Sequence, residues 1–420
     1  LILFLWIMFQ TTFTLGAYPQ DWIDAGISWF GSQVATWMGD GILTSLIVDG
    51  IIAGVGGVLV FLPNIIILFL FISLFEDTGY MARAAFMMDK LMHKIGLHGK
   101  SFIPMLTGFG CSVPAVMATR TLEKPKDRLA TMMAIPFVSC SARLPVYLLF
   151  VAAFFQKNQG LIILSIYLIG ILISILTALL LKNTKFKGES EQFVMELPPY
   201  RVPSTRNVLV HMWDKSVQYL KKMGSVILVA SIIIWLLNYF PTTNSKMEAI
   251  DKQIAQTEQS VNIDEESKLE IIAQLEIDKA AAQSEYSYIG RIGKFIAPVV
   301  QPLGFDWQMG VSLLTGLAAK EIIVSSMGIL YNADTEADEN SEKLSTALQT
   351  HLGPDGKPFL TPLKAYVYMI FVLLCFPCVA AISAIAKEAN WRWAGFTMIY
   401  TTSIAWIISF LVYQIGLLFI

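Results

Sequence analysis

Long apolar runs separated by short polar stretches dominate the chain. A bilayer core of about 30 Å needs about 20 consecutive apolar residues in helical form. Runs of that kind fall at about 1–17, 46–75, 129–155, 161–181, 223–240, 365–386 and 393–419, which predicts seven transmembrane helices. Two further apolar stretches, 102–119 and 307–331, are each flanked on both sides by loops of the same predicted side. They are therefore expected to be re-entrant. The first carries Pro104, Gly108, Gly110 and Pro114, which interrupt the helical ladder and free backbone groups to line a polar cavity. The second repeats its opening, Leu106-Thr107-Gly108 returning as Leu314-Thr315-Gly316, and each stretch precedes a span with a Pro-Cys neighbourhood (Pro136 to Cys140, Pro377-Cys378).

Charge assigns sides to these spans. Arg83, Lys90, Lys94, Lys100, then Arg120, Lys124, Lys126, Arg128, then Lys182, Lys185, Lys187, Arg201, Arg206, Lys215, Lys221 and Lys222 follow alternate spans, and the positive-inside rule makes them cytoplasmic. Residues 18–45 hold Asp21, Asp24 and Asp40 without Lys or Arg, and 332–362 is acid-rich, so both read as outer. One hairpin then enters from inside and the other from outside. The expected fold is an all-α polytopic membrane protein of about seven transmembrane helices plus two re-entrant gate hairpins in an inverted-topology repeat, a plan that places a substrate site near the midplane. Its parts are 1–45, a first transmembrane helix and outer amphipathic segment; 46–183, a first gate repeat; 184–222, a cytoplasmic linker and interfacial helix; and 223–420, a second gate repeat. An insertion at about 243–287 interrupts the last part, with apolar residues at helical spacing (Met247, Ile250, Ile254; Leu269, Ile272, Leu275) and a break at Asn262 to Ser267. Two short antiparallel helices on the periplasmic side are expected there, with no chemistry assigned.

Composition agrees: 55% hydrophobic and 15% charged residues and a mean hydropathy of +0.60 exclude a soluble fold of 420 residues. The net charge of −2 says little about partners. The chain opens inside an apolar run without Met or a basic stretch, so a preceding segment is expected and a signal peptide is not.

Candidate chemistry lies at the helix breaks. Cys111 sits in Gly110-Cys111-Ser112-Val113-Pro114, where a thiolate and freed carbonyls could together replace the water around a metal ion, a soft ligand favouring a borderline transition metal over Mg2+ or Ca2+. Cys140, beside Ser139, lies between Pro136 and Pro145, and Cys378 follows Pro377. A single membrane cysteine is by default a small buried hydrophobe; three at equivalent breaks favour ligands. Cys375 stands in a plain apolar run and reads as packing. Ionisable groups in the membrane are costly and mark pathways. Arg143 could anchor a hairpin by donating to freed carbonyls, and Lys320 could pair with Glu321 or with a carboxylate of the other half. Glu76 and Asp77 close a long span and could form a hard-ligand vestibule or mark the interface. The methionines nearby read as core. Gly99-Lys100-Ser101 is no nucleotide loop, because Lys94 stands where the first glycine would fall and no strand precedes it. No hydrolase motif or nucleophile–base pair occurs, which argues against an enzyme.

LGAYPQDWIDAG (15–26), LVFLPNIIILF (within 59–69), EDTGYMARAAFMMDK (76–90), LTGFGCSVPAVMATR (106–120), PFVSCSARLPVY (136–147), LTGLAAKE (314–321) and FPCVAAISAIAKE (376–388) resemble, in order, the permease signatures of the ferrous iron transport protein B (FeoB) family. The resemblance implies a multi-pass protein of the bacterial inner membrane that carries Fe2+ into the cytoplasm, with loop 182–222 cytoplasmic and 243–287 periplasmic. It implies GTP with Mg2+ acting only through an N-terminal GTPase domain absent from this chain, a small FeoA-like partner, contact with lipid, no nucleic acid, and homo-oligomers among the allowed assemblies. The family's gate cysteine maps to Cys111, that of the following span to Cys140 and that of the second half to Cys378; some members carry a further Cys where this chain has Phe137. The expected route passes Cys111, Cys140 and Cys378 near the midplane and then Glu76 and Asp77, with Gly108, Gly110, Pro114, Ser139, Arg143, Lys320 and Glu321 forming the gates. The alternative is an ion-coupled carrier of small organic solutes, similar to nucleoside carriers, whose site would be lined by Asn, Gln, Ser and aromatics instead of thiols.

Overall fold

The computed structural model describes residues 2–39, 41–60, 62–185, 203–241, 245–259, 265–331, 333, 341–352 and 358–418. Lys187, Arg201, Pro198, Pro199, Asn262 and most of the acid-rich 332–340 run lie outside them. Among the described residues there is no strand, only an isolated bridge between Leu352 and Pro358.

The chain opens with α1 (Ile2–Met38), a single 37-residue helix. The expected span ending near 17 therefore runs on through the segment read as outer. Pro19 lies inside α1; a proline removes one ladder bond and bends a helix, and it ends one only where the flanking turns are unsupported. The run expected as one span at 46–75 is helical at every described residue, α2 (Ile42–Ser45) passing through a π-helical stretch at Leu46–Ile52 into α3 (Ala53–Val60), with α4 (Leu62–Asp77) following. Gly16 of α1 lies so close to Asn64 that no Cβ would fit.

Next come α5 (Tyr80–Lys94), the short pair α6 (Phe102–Thr107) and α7 (Ser112–Ala118), then α8 (Pro125–Ala134), two 3-10 turns at Ile135–Phe137 and Ser141–Arg143, and α9 (Leu144–Phe154). After α10 (Gln159–Thr184), the basic amphipathic run and the span expected at 223–240 prove to be one helix, α11 (Thr205–Tyr239), since Gly224 alone cannot divide it. The insertion is α12 (Ser245–Gln259) packed on α13 (Glu265–Tyr286), joined by Lys279–Asp251 at 2.5 Å. Gln283 fastens it to the end of α11 by donating to the carbonyls of Tyr239 (2.5 Å) and Pro241 (3.2 Å).

The second half repeats the earlier order: α14 (Tyr288–Val300), the short pair α15 (Trp307–Thr315) and α16 (Ile322–Leu330), α17 (Glu342–Thr350), then α18 (Pro362–Leu374), a break, α19 (Val379–Glu388) and α20 (Trp391–Leu417). Among the described residues, four helical stretches are long and apolar enough to cross a membrane, Pro125–Phe154, Gln159–Thr184, Pro362–Glu388 and Trp391–Leu417; Ile42–Gly56 and Leu228–Tyr239 are shorter apolar helices. The protein is all-α and polytopic. One edge of α10 shows what lipid selects, since Leu161, Leu164, Leu168, Leu172, Leu176 and Leu180 recur every three or four residues and are all exposed.

The chain divides into two compact units: Leu1–Ser141, Ile169–Ile232 and Val379–Thr401 form one, and Ala142–Leu168, Ile233–Cys378 and Thr402–Ile420 form the other. In the first, Met92, Leu97, Ala130, Ala134 and Ala178 form a buried cluster with Phe102 and Met105 packed against it. Small alanines let the helices approach closely, which matters in lipid, where packing rather than water exclusion drives association. In the second, α18 is sheathed, every residue from Val367 to Leu374 being buried, and Tyr368 lies between Phe150 (5.1 Å) and Phe305 (5.3 Å).

Candidate functional site

Each unit contains a hairpin of two short helices with a broken turn, and each turn meets the break of a longer helix in its own unit. In the first unit the turn runs from Thr107 to Cys111. Gly108 packs against Val138, a Cβ there standing 3.0 Å from the Met105 carbonyl, and Cys111 is extended (φ −150, ψ 132) at the mouth of α7. The Gly110 carbonyl accepts two hydrogen bonds from Ser141, from its N–H at 3.2 Å and its Oγ at 2.9 Å. Gly110 immediately precedes Cys111 and Ser141 immediately follows Cys140, so the joint ties the backbone next to one thiol to the backbone next to the other. Both are half-buried, and Ser139 and Pro114 are buried.

Below this joint, α7 packs on α19, and Glu388 closes the contact. Its carboxylate is 4% exposed and accepts from Arg120 through Nε (2.7 Å) and Nη2 (2.5 Å) and from Arg128 through Nη2 (2.5 Å). A bidentate arginine pair of this kind fixes orientation as well as charge.

In the second unit the turn runs from Gly316 to Glu321. Gly316 lies against Ile323 of the opposite arm, too near for a side chain. Ser326 donates to Thr315 across the hairpin at 2.8 Å, and Ser312 shares a hydrogen bond of 2.9 Å with the Tyr368 hydroxyl. Asp306 fastens the ends, one oxygen accepting from the Met309 N–H (2.7 Å) and the other from the Tyr331 hydroxyl (2.8 Å), with His351 Nε2 3.8 Å away. Lys320 is 2% exposed. Its Nζ donates to Cys375 Sγ at 3.3 Å and lies 4.4 Å from the ring centre of Phe376.

The remaining expected residues are spread out. Cys378 is half-buried at the break in the second unit, and Arg143 is fully buried at the start of α9. Glu76 is exposed at the end of α4 and held by Lys215 at 2.7 Å; Asp77 beside it is half-buried. Among the described residues, no three His, Cys, Asp or Glu side chains stand close enough to hold a metal ion together.

Three features escaped the sequence reading. Cys375 looked like packing because its partner, Lys320, lies 55 residues away. Glu388 ends a resembling motif, and only its position at the close of an apolar helix hinted at burial. Asp306 before Trp307 is a recognisable helix cap, whereas its bond to Tyr331 depends on the hairpin closing.

Comparison with known proteins places this architecture. Residues 58–154 and 220–392 match the Gate family model, described as nucleoside recognition, and 163–215 match the model for the ferrous iron transport protein B C terminus. A Porphyromonas gingivalis protein named as an Fe(2+) transport protein A/Fe(2+) transporter FeoB fusion is 54% identical over all of this chain and 50% of its own length. The Fe(2+) transporters FeoB of Campylobacter jejuni and Helicobacter pylori are 42% and 39% identical over 97% and 98% of the chain and 61% and 63% of theirs. The chain thus spans half to three-fifths of the length of these relatives. No solved structure matches it. Two broken-helix gates in an all-α membrane protein define a gate-type permease core. The chain belongs to the FeoB family, as its transmembrane portion.

Proposed function

We propose that this chain forms the path by which ferrous iron crosses the bacterial inner membrane into the cytoplasm. The observation that supports the reading is the Gly110–Ser141 joint, which ties together the two helix breaks that carry Cys111 and Cys140. Fe2+ is a borderline cation for which thiolate sulfur is a better match than for Mg2+ or Ca2+. Carbonyls freed at a broken helix supply the rest of a dehydrated coordination shell. In this reading Fe2+ meets Cys111, Cys140 and Cys378 near the midplane and leaves past Glu76 and Asp77, and the two gates face opposite sides as an inverted-topology repeat. Loop 182–222 is cytoplasmic and 243–287 periplasmic. GTP with Mg2+ acts through an N-terminal GTPase domain outside this chain, and the fusion named in the Porphyromonas gingivalis relative supports a small FeoA-like partner.

The description of the matching gate model favours a second reading, an ion-coupled carrier of organic solutes such as nucleosides. Thiols at the breaks favour the metal. Anaerobic influx into proteoliposomes separates the two: Fe2+ entering vesicles that hold this chain, or the complete protein with GTP, above empty vesicles supports the iron path. Influx of nucleoside without Fe2+ would establish the carrier, and influx of neither would contradict both.

A further inference from the structure

The two gates align from Leu106-Thr107-Gly108 and Leu314-Thr315-Gly316, and this alignment sets Cys111 opposite Ala319 and Ser112 opposite Lys320. Where the first gate offers a thiol, the second offers a fixed positive charge. That charge is almost wholly buried, its Nζ 3.3 Å from the Cys375 sulfur and 4.4 Å from the centre of the Phe376 ring. A sulfur and an aromatic face are both groups that attract a cation stripped of water. They stand where the chain leaves helical geometry, Cys375 being extended at φ −64 and ψ 176 after the last turn of α18. Cys375 is also the one buried thiol of the four, the other three being partly accessible. A charge in the membrane interior is expensive and is retained for what it does there.

We propose that Lys320 is a tethered stand-in for the permeating cation. Its Nζ occupies the cation position formed by Cys375 and Phe376 and keeps the second gate shut, and a divalent cation passes only when the lysine withdraws. This rests on the iron-path reading and adds to it the residue that decides when the path is open.

The test uses the complete protein in proteoliposomes under anaerobic conditions, with Fe2+ influx measured with and without GTP. Without GTP, K320A is expected to leak at least about tenfold above wild type, the size of a desolvated cation–π contact. Added methylammonium should fill the vacated position and suppress that leak while leaving wild type unchanged, and K320R, which keeps the charge, should stay closed. A K320A protein as tight as wild type, or a leak that ignores methylammonium, would overturn the proposal. Should K320A not be monodisperse, K320M is read for leak alone: leak supports the proposal and tightness refutes it. Wild type with GTP serves as the separate control, because absence of Fe2+ influx there defeats the iron-path reading, whereas normal influx there with a tight K320A defeats only the role of the lysine.

Discussion

The two gates share a plan and differ in chemistry. Both are short helix, turn, short helix, both keep a glycine where the turn presses on a neighbour, and both meet a broken helix of their own unit. The first is held by neutral hydrogen bonds, Ser141 to the Gly110 carbonyl, and leaves two thiols partly accessible. The second is held by a buried amine on a thiol and a ring, and that thiol is sealed. On the proposed reading, two hairpins of one plan specialise by differing in a few residues at the break, one offering ligands for a cation and the other holding a cation of its own.

The sharpest way to break this comparison is to swap thiols between its two sides. Cys111→Ser should lower Fe2+ influx at least about tenfold, the loss expected when a metal site loses a soft ligand. Cys375→Ser should leave GTP-supported influx near wild type and raise the leak without GTP. Equal behaviour of the two variants would erase the distinction between the gates.

The joint between α7 and α19 comes next. Glu388→Ala strands Arg120 and Arg128; because both arginines are partly solvated, the cost is about 2 kcal/mol, below that of a fully buried pair. A lower Tm of the detergent-solubilised protein would show it, with Glu388→Gln intermediate. A smaller effect is expected of Ser141→Ala, which removes one of two bonds to the Gly110 carbonyl and costs about 1 kcal/mol. Its more telling readout is alkylation of Cys111, which should quicken while Cys375 stays unreactive.

The smallest effect concerns His98, in the polar stretch leading to the first gate, where it caps the turn by accepting from the Lys100 N–H at 3.1 Å. Burial lowers its pKa from the ordinary 6.5, against the opposing pull of Asp127 and Asp89. A base so lowered binds fewer protons folded than unfolded, so its contribution is present above 6.5 and is lost as pH falls through the depressed value. Thermal unfolding across pH 5 to 7.5 should therefore show a slope that His98→Asn flattens.

Much of the fold could be read from the pattern. The hairpins could be read from apolar stretches flanked on both sides by loops of the same predicted side, the first also interrupted by glycine and proline, and the helical insertion through its spacing. What failed was local: the span expected to end near residue 17 belongs to a helix that runs on to Met38, and the interfacial helix expected to end at Lys222 continues to Tyr239. Helix length in lipid depends on neighbours that sequence spacing does not reveal. That Cys111 and Cys140 stand at helix breaks could be read from the glycines and prolines around them. The pairing of Lys320 with Cys375, and of Glu388 with two arginines, could not, since each joins residues far apart in the chain through a contact that only the folded hairpin creates.

The most direct test of the central claim is spectroscopic. Co2+ bound to the reduced, purified protein should give an intense near-ultraviolet sulfur-to-metal charge-transfer band that weakens in Cys111→Ser and in Cys140→Ser and is unchanged in Cys375→Ser. A band absent from wild type, or indifferent to Cys111 and Cys140, would contradict the account of the first gate as the thiol site.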